Sequence, residues 1–518
     1  MSRMRHLPFL RFDPLFRSAL LATVASAALC AHAATLPAQE GAGDAFVADA
    51  ATEDEALSLG GGAVSIRGER IAYRSATGRL TLREEDGTPR AHVFHVTYRR
   101  TNGADAQERP VTFVFNGGPG SSSVWLHMGA FGPKRVDLGE EGFDLSQPYG
   151  LVDNEHSILD VTDLVFIDPV TTGYSRAAEG VDDSEFHGQI EDVESVGEFV
   201  RLWLTQNERW RSPVYIAGES YGTTRAAALA DHLQSRYGIY PRGLVLVSAI
   251  LNFGTARFDV GNDLPHVLFL PTYTATAWFH GQLDGALQRD LDATLAEVEA
   301  FAIGDYATAL MKGARLPSDE RRAIAERLAR YTGLSVEYVE STNLRIHIGR
   351  FCKELRRDER TTVGRLDSRY AGVDRDAAGE RYEFDPSYAA IEGPYSTLLN
   401  SYVREDLGYE NDIPYEILTG RVRPWSYANV ENQYLNVGED LRHAMAVNPN
   451  LRVYVANGLY DLATPYFATR YTFDHLFLEP EDRGRVTMGD YRSGHMMYVQ
   501  RASLEKLGAD VRAFVGGR

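Results

Sequence analysis

The apolar positions of this chain repeat in three ways, and each predicts a different element. "AHVFHVTYRR" (Ala91–Arg100) alternates and is rich in β-branched and aromatic residues, the pattern of an antiparallel strand. Its expected partner is "RIAYRS" or "RLTLRE" just upstream. Five short runs then lose the alternation: "VTFVF" (Val111–Phe115), "DLVFI" (Asp163–Ile167), "PVYIA" (Pro213–Ala217), "LVLVSAI" (Leu244–Ile250) and "LRVYVAN" (Leu451–Asn457). Such runs fit strands covered on both faces, as in a parallel sheet.

The third pattern is helical. Within Glu191–Glu208, Val193, Val196, Phe199, Val200 and Trp203 fall on one face. Further on, Ala226, Ala227, Ala228 and Ala230 suggest a helix lying very close to the sheet. Strands alternating with helices make an α/β protein. From about Thr255 the strand pattern fades and amphipathic helices replace it, "DLDATLAEVEAFA" (Asp290–Ala302) and "DERRAIAERLARY" (Asp319–Tyr331), the second closed by Gly333. The buried-strand pattern returns only at Leu451. Residues 255–430 are therefore expected as a helical cap insertion over a core built from residues 61–254 and 431–518. The aromatics of "PTYTATAWFH" (Pro271–His280) are read as core of that insertion ahead of cleft lining.

The N-terminus follows other rules. Arg3, Arg5, Arg11 and Arg17 precede the apolar run Ser18–Cys30 and the small-x-small sequence Ala31-His32-Ala33. This is the form of a secretory signal peptide, residues 1–33, cleaved near Ala33, and it predicts export to the periplasm or outside the cell. A lipid anchor on Cys30 is disfavoured by the bulky Leu29. Residues 34–60, rich in Ala, Gly, Asp and Glu without periodicity, read as a flexible leader, with order beginning near Ala63. No later apolar run reaches the roughly 18 residues that span a bilayer.

Composition narrows the classes. The 518-residue chain is 44% apolar, enough for a large core. Its formal charge is −19, and loss of the four Arg and one Asp of the signal takes it to −22, which argues against general attraction to nucleic acid or anionic membrane. With Cys30 in the signal, Cys352 is the remaining thiol. No internal disulfide is then possible, and Cys352 reads as a small buried apolar residue. No metal-ligand spacing, phosphate loop or dinucleotide fingerprint occurs, so no cofactor is expected and no metal site is assigned. Nothing in the chain signals an oligomeric state.

Two glycine-rich stretches carry the chemistry. "GESYG" (Gly218–Gly222) fits G-x-S-x-G between a predicted buried strand and a predicted helix, the setting in which a tight turn lifts a nucleophilic serine, Ser220, to the sheet's edge and aims the N–H of Tyr221 at a developing oxyanion. A serine needs a base and an orienting acid, expected in the order Ser, Asp, His. Asp461 in "GLYDLATP" and His495 in "SGHMM" meet that order. In "VFNGGPGSSSVWLHMG" (Val114–Gly129), Gly117, Gly118 and Gly120 allow a close backbone approach whose N–H groups complete an oxyanion hole.

Taken together, "FNGGPGSSS", "FIDPVTTGYS", "GESYG", "GLYDLATP" and "SGHMM" resemble the serine carboxypeptidases, of α/β-hydrolase fold, in a bacterial, disulfide-free form. The resemblance runs from about residue 110 to 500. It implies a Ser220–His495–Asp461 triad, an oxyanion hole from the N–H groups of Gly118 and Tyr221, and a grip on the substrate's terminal carboxylate by Asn116, the N–H of Gly117 and Glu219. Glu219 can hold a carboxylate only when protonated, because two anions at hydrogen-bonding distance repel strongly where water is excluded. The chain departs from the family pattern at Val114 (commonly Trp), Ser121 (commonly Cys), Ala130 (often a second Glu) and before Pro169, where a Gln is usual. The expected function is an exported serine-type carboxypeptidase acting through an acyl-enzyme on peptides or proteins with a free C-terminus. The alternatives are hydrolysis or transfer of small acyl esters on the same triad, or a non-catalytic binding protein on the same shell.

Overall fold

The alternating and the continuous apolar runs join one ten-stranded sheet. The structure is a computed structural model that describes residues 56–102 and 106–517; the expected signal peptide and most of the expected leader lie outside the described residues. In chain order, nine strands form the main path: β1 Ser58–Ile66, β2 Glu69–Arg83, β3 Pro89–Arg100, β4 Val111–Phe115, β5 Asp163–Ile167, β6 Val214–Glu219, β7 Gly243–Val247, β8 Arg452–Gly458 and β9 Val486–Tyr491. Their spatial order is β1-β2-β3-β5-β4-β6-β7-β8-β9, with the short strand Arg176–Ala177 beside β3. β1 to β3 and the β3–β5 pair are antiparallel; β5 through β9 are parallel. The expected α/β architecture with a mainly parallel sheet is the one observed.

Two differences have physical causes. β1 starts at Ser58, ahead of the expected onset of order near Ala63, because Gly60, Gly61 and Gly62 pair with Ser75, Arg74 and Tyr73 of β2. Glycines weaken a strand pattern in sequence; here the neighbouring strand supplies the order. The two candidate partners of β3 are also a single strand, β2, which runs through Gly78 opposite His95.

Both faces of the sheet are buried. Val114, Phe166, Ala217 and Val247 point into one apolar layer, while Phe113, Val165, Ile216 and Leu246 point into the other. Helices α1 Gln189–Gln206 and α2 Tyr221–Tyr237 cover the second face, using Val196, Phe199, Trp203, Ala226 and Ala227. Between β7 and β8 lie α3 Leu264–Phe279, α4 Leu291–Phe301, α5 Ser318–Thr332 and α6 Pro386–Ser401. Asp290 caps α4 by accepting from the Ala293 N–H at 3.1 Å, and α5 ends on Gly333 at φ 71°. Much of this region packs around its own centre of Phe301, Tyr306, Leu328, Tyr331 and Cys352. Pro271 to Phe279 lie in α3, where Tyr273 stacks on Phe351 at 4.1 Å. Cys352 is fully buried, and burial pushes its thiol pKa well up. Among the described residues no helix is long and apolar enough to cross a membrane.

Candidate active site

β6 ends on Glu219 and α2 begins on Tyr221, so Ser220 makes the whole turn between them. Its backbone sits at φ 59°, ψ −128°, a conformation that costs a non-glycine residue roughly 1–3 kcal/mol. The surroundings hold it there. The Ser220 N–H donates to Val247 O at 3.0 Å, and Thr223 Oγ1 donates to Ser220 O at 2.7 Å. A β-carbon at Gly218 would stand 2.2 Å from Gly222 O, so the turn closes only on glycine.

The loop after β4 lies directly on this turn. A β-carbon at Gly117 would be 2.4 Å from Tyr221 N, which brings the loop backbone against the first N–H groups of α2, those a helix leaves unpaired. Gly118 follows at φ 105°. Beneath the loop, Arg225 of α2 donates from Nη1 to Asn116 O at 2.6 Å and from Nε to Asp192 Oδ2 of α1 at 2.7 Å. Arg225 and Asp192 are both buried. Asn116 Oδ1 accepts from the Leu126 N–H at 3.1 Å, which fixes the amide's orientation, and its Nδ2 is buried without a hydrogen-bond partner.

Asp461 and His495 come from the loops after β8 and β9 and meet at 2.7 Å, Nδ1 to Oδ2. Asp461 also accepts from Ala463 N at 2.7 Å, Thr464 N at 3.0 Å and Thr464 Oγ1 at 2.7 Å. Four donors satisfy this fully buried carboxylate. The His495 backbone is tied by its N–H to Leu366 O and by its carbonyl to Ser248 Oγ, both at 2.6 Å. Burial presses the His495 pKa down, the Asp461 carboxylate outweighs it, and the net shift is upward. Ser220 and His495 border one cavity of about 920 Å³ together with Asn116, Gly117, Gly118 and Glu219. Among the described residues no hydrogen bond closes between Ser220 Oγ and His495, a contact that often tightens only around substrate.

Glu219 is 3% exposed. Burial lifts its pKa to about 7; His495, the Tyr498 hydroxyl and the Asn116 amide pull the other way, and Asp461 adds to the rise. The Asn116 amide is thus close enough to act on Glu219 without completing a hydrogen bond of full geometry. Tyr498 does complete one, donating from its hydroxyl to Glu219 Oε2 at 2.6 Å. Where the resemblance calls for a second carboxyl at position 130, the chain has a buried Ala130, and the partner of Glu219 arrives from the C-terminal side instead. Because this bond favours ionised Glu219, Tyr498→Phe is expected, if the site acts on free-acid peptides as the resemblance implies, to move the alkaline loss of kcat/KM upward by about one pH unit. A pH series on wild type and variant checks this; an unmoved limb with uniformly lower rates would reduce Tyr498 to packing.

The structure therefore brings every sequence-assigned site residue to one place. Sequence reading passed over Arg225, Asp192, Thr464 and Tyr498. Thr464 and Tyr498 lie within three residues of Asp461 and His495, and that proximity was the available signal. The cavity is bordered by Trp125, Tyr388, Ile391 and Met496, which pack with one core layer, and by Phe253, Trp425 and Tyr427, which pack with the other.

Residues 68–242 match the model of the family described as serine carboxypeptidase. Carboxypeptidase Y homolog A of Uncinocarpus reesii is 24% identical over 226 residues, 43% of this chain and 38% of that protein. The pheromone-processing carboxypeptidase KEX1 of Debaryomyces hansenii is 30% identical over 160 residues, 31% of this chain and 21% of that protein. The chain thus spans less than half the length of these curated relatives. Among solved structures, the prohormone-processing carboxypeptidase Kex1(delta)p from Saccharomyces cerevisiae superposes with a TM-score of 0.54 at 15% identity, covering 86% of this chain and 92% of that one, which shows a shared α/β-hydrolase fold. Over residues 68–242, then, the chain is similar to the serine carboxypeptidase family.

Proposed function

We propose that this protein is a serine carboxypeptidase that removes C-terminal residues from peptides through an acyl-enzyme. Ser220 Oγ attacks the last peptide carbonyl while His495 takes its proton, with Asp461 fixing the imidazole and offsetting its positive charge. The N–H groups of Gly118 and Tyr221 hold the oxyanion. His495 then gives the proton to the departing amine, and water repeats the sequence to free the acyl group. The N-terminal pattern supports export, to the periplasm or beyond the cell.

The observation that carries the reading is the pair beside the nucleophile: a buried Glu219 whose pKa is lifted to about 7, next to a buried Asn116 amide with an unused donor. A protonated acid and an amide both donate hydrogen bonds, and a terminal carboxylate accepts both. Hydrolysis of small acyl esters would use Ser220, His495 and Asp461 but gives Glu219 and Asn116 no task. The test is a free-acid peptide and its C-terminal amide twin, incubated with the enzyme and followed by mass. Stepwise loss from the free acid, with the amide cut at least about a hundredfold more slowly, is expected if these two donors recognise the carboxylate. Equal cutting of the twins would reduce the reading to an unspecified acyl hydrolase.

A further inference from the structure

The chain carries a formal charge of −19, yet its active-site cavity has the opposite character. Among the residues bordering it, the cationic side chains are Arg257, Arg365 and Arg423, and the one acid is Glu219, whose pKa burial lifts to about 7. None of the three arginines has a carboxylate within ion-pair distance among the described residues; Asp259, two residues beyond Arg257, is engaged by the Tyr434 hydroxyl at 3.1 Å.

Two of these cations flank one wall. Phe253 packs against Tyr221 at 6.4 Å and Tyr427 at 6.1 Å, while Trp425 packs against Tyr221 at 5.5 Å and donates from Nε1 to its hydroxyl at 3.1 Å. Arg257 lies over Phe253 at 5.4 Å and faces the Tyr427 hydroxyl. Arg423 borders the same cavity and precedes Trp425 by two residues. This wall adjoins Tyr221. The Glu219 side chain is held instead by Tyr498, which packs in the layer of Trp125, whereas Tyr221, Phe253, Trp425 and Tyr427 pack in the layer on the other face of the sheet. In the carboxypeptidase reading, the aromatic wall is then the acyl side, where the residue before the cleaved bond sits.

We propose that Arg257 and Arg423 form an anion subsite on the acyl side of Ser220, so that the preferred substrates are peptides whose penultimate residue is aspartate or glutamate. A guanidinium held over a ring keeps its outer N–H donors free for a carboxylate, which it meets in a planar, two-point geometry. The ring wall beneath accommodates the methylene stem of the acidic side chain. Two cations without a carboxylate partner at the border of one cleft also focus field lines toward an anionic ligand.

The inference rests on the carboxypeptidase reading, and three free-acid peptides separate the two. They share one sequence ending in leucine and carry Glu, Gln or Lys at the penultimate position. Each exposed pair contributes up to about fivefold, so wild type is expected to favour Glu over Gln by about tenfold in kcat/KM at low salt, to disfavour Lys, and to lose the preference as salt rises. The Glu-to-Gln ratio is the readout, since any folding defect lowers both rates alike. The ratio should fall in Arg257→Ala and Arg423→Ala and invert toward Lys in the double Arg→Glu variant. A wild-type ratio near one, with the Gln peptide still shortened, overturns the subsite and leaves the carboxypeptidase reading standing. No shortening of any of the three, with Ser220 still labelled by a fluorophosphonate, overturns the reading beneath it.

Discussion

Ser220→Ala is expected to lower peptide hydrolysis by about 10⁴- to 10⁶-fold, the loss typical when a nucleophile that acts as one unit with its base is removed. The size follows from the proposed covalent route. Without Oγ no acyl-enzyme forms, and the remaining N–H groups of Gly118 and Tyr221 can assist only a direct attack by water. His495→Ala should cost about as much, and the double variant little more than either alone, because each group is of use only through the other. Fluorophosphonate labelling, read by intact mass, should appear in wild type and vanish in Ser220→Ala. The backbone supplies a control for folding. At φ 59° glycine relieves strain that serine and alanine share, so Ser220→Gly is expected to be inactive yet about 1 kcal/mol more stable than Ser220→Ala, read as a higher Tm. Labelling that persists in Ser220→Ala, or peptide turnover within about tenfold of wild type, would remove Ser220 from the mechanism.

The legible parts of this fold are those whose cause is local. β4 and β5 coincide with the runs Val111–Phe115 and Asp163–Ile167, because a strand buried on both faces needs apolar residues throughout and nothing else produces so short a run between turns. The glycines of GESYG were readable for the same reason, since a turn this tight leaves no room for a β-carbon at Gly218. What escaped the sequence was set by distant partners. β9, with the half-exposed pattern of "VTMGDY", is an edge strand that β8 organises through a parallel register from Val453–Val486 to Gly458–Tyr491. β1 hides behind three glycines that β2 orders. Arg225 looks like any helix-surface arginine until the loop after β4 folds over it. Tyr498 shares an apolar run with His495, and only the fold reveals that its hydroxyl reaches Glu219, which is 279 positions away in sequence. The cleft's cationic character was equally invisible, being the product of three segments that meet only in space.

The pH dependence of carboxylate recognition should be the second large effect, and its sign follows from the direction of the Glu219 shift. Burial raises that pKa to about 7, so the protonated, donating form persists through mildly acidic pH and is lost as pH rises through 7. For free-acid peptides kcat/KM, which reports the free enzyme, should then fall about tenfold per pH unit on the alkaline side, roughly a hundredfold by two units above the pKa. His495 sets the other limb, since it must be neutral to accept the Ser220 proton and its own pKa is raised. The two groups are coupled, because ionised Glu219 is among the causes that raise His495. With one proton shared between them, the productive arrangement is neutral histidine with protonated glutamate, and the competing one is the reverse. A docked carboxylate resolves that competition: it repels ionised Glu219, draws the proton there and leaves His495 as the free base. Glu219→Gln should therefore flatten the alkaline limb, since an amide donates at every pH, and should shift the acid limb downward by removing a charge that favours protonated His495. An ester substrate without a free carboxylate, assayed in parallel, should lack the alkaline fall even in wild type. If blocked and unblocked substrates trace the same alkaline limb, Glu219 does not read the terminus, and the limb belongs to some other group of the machinery.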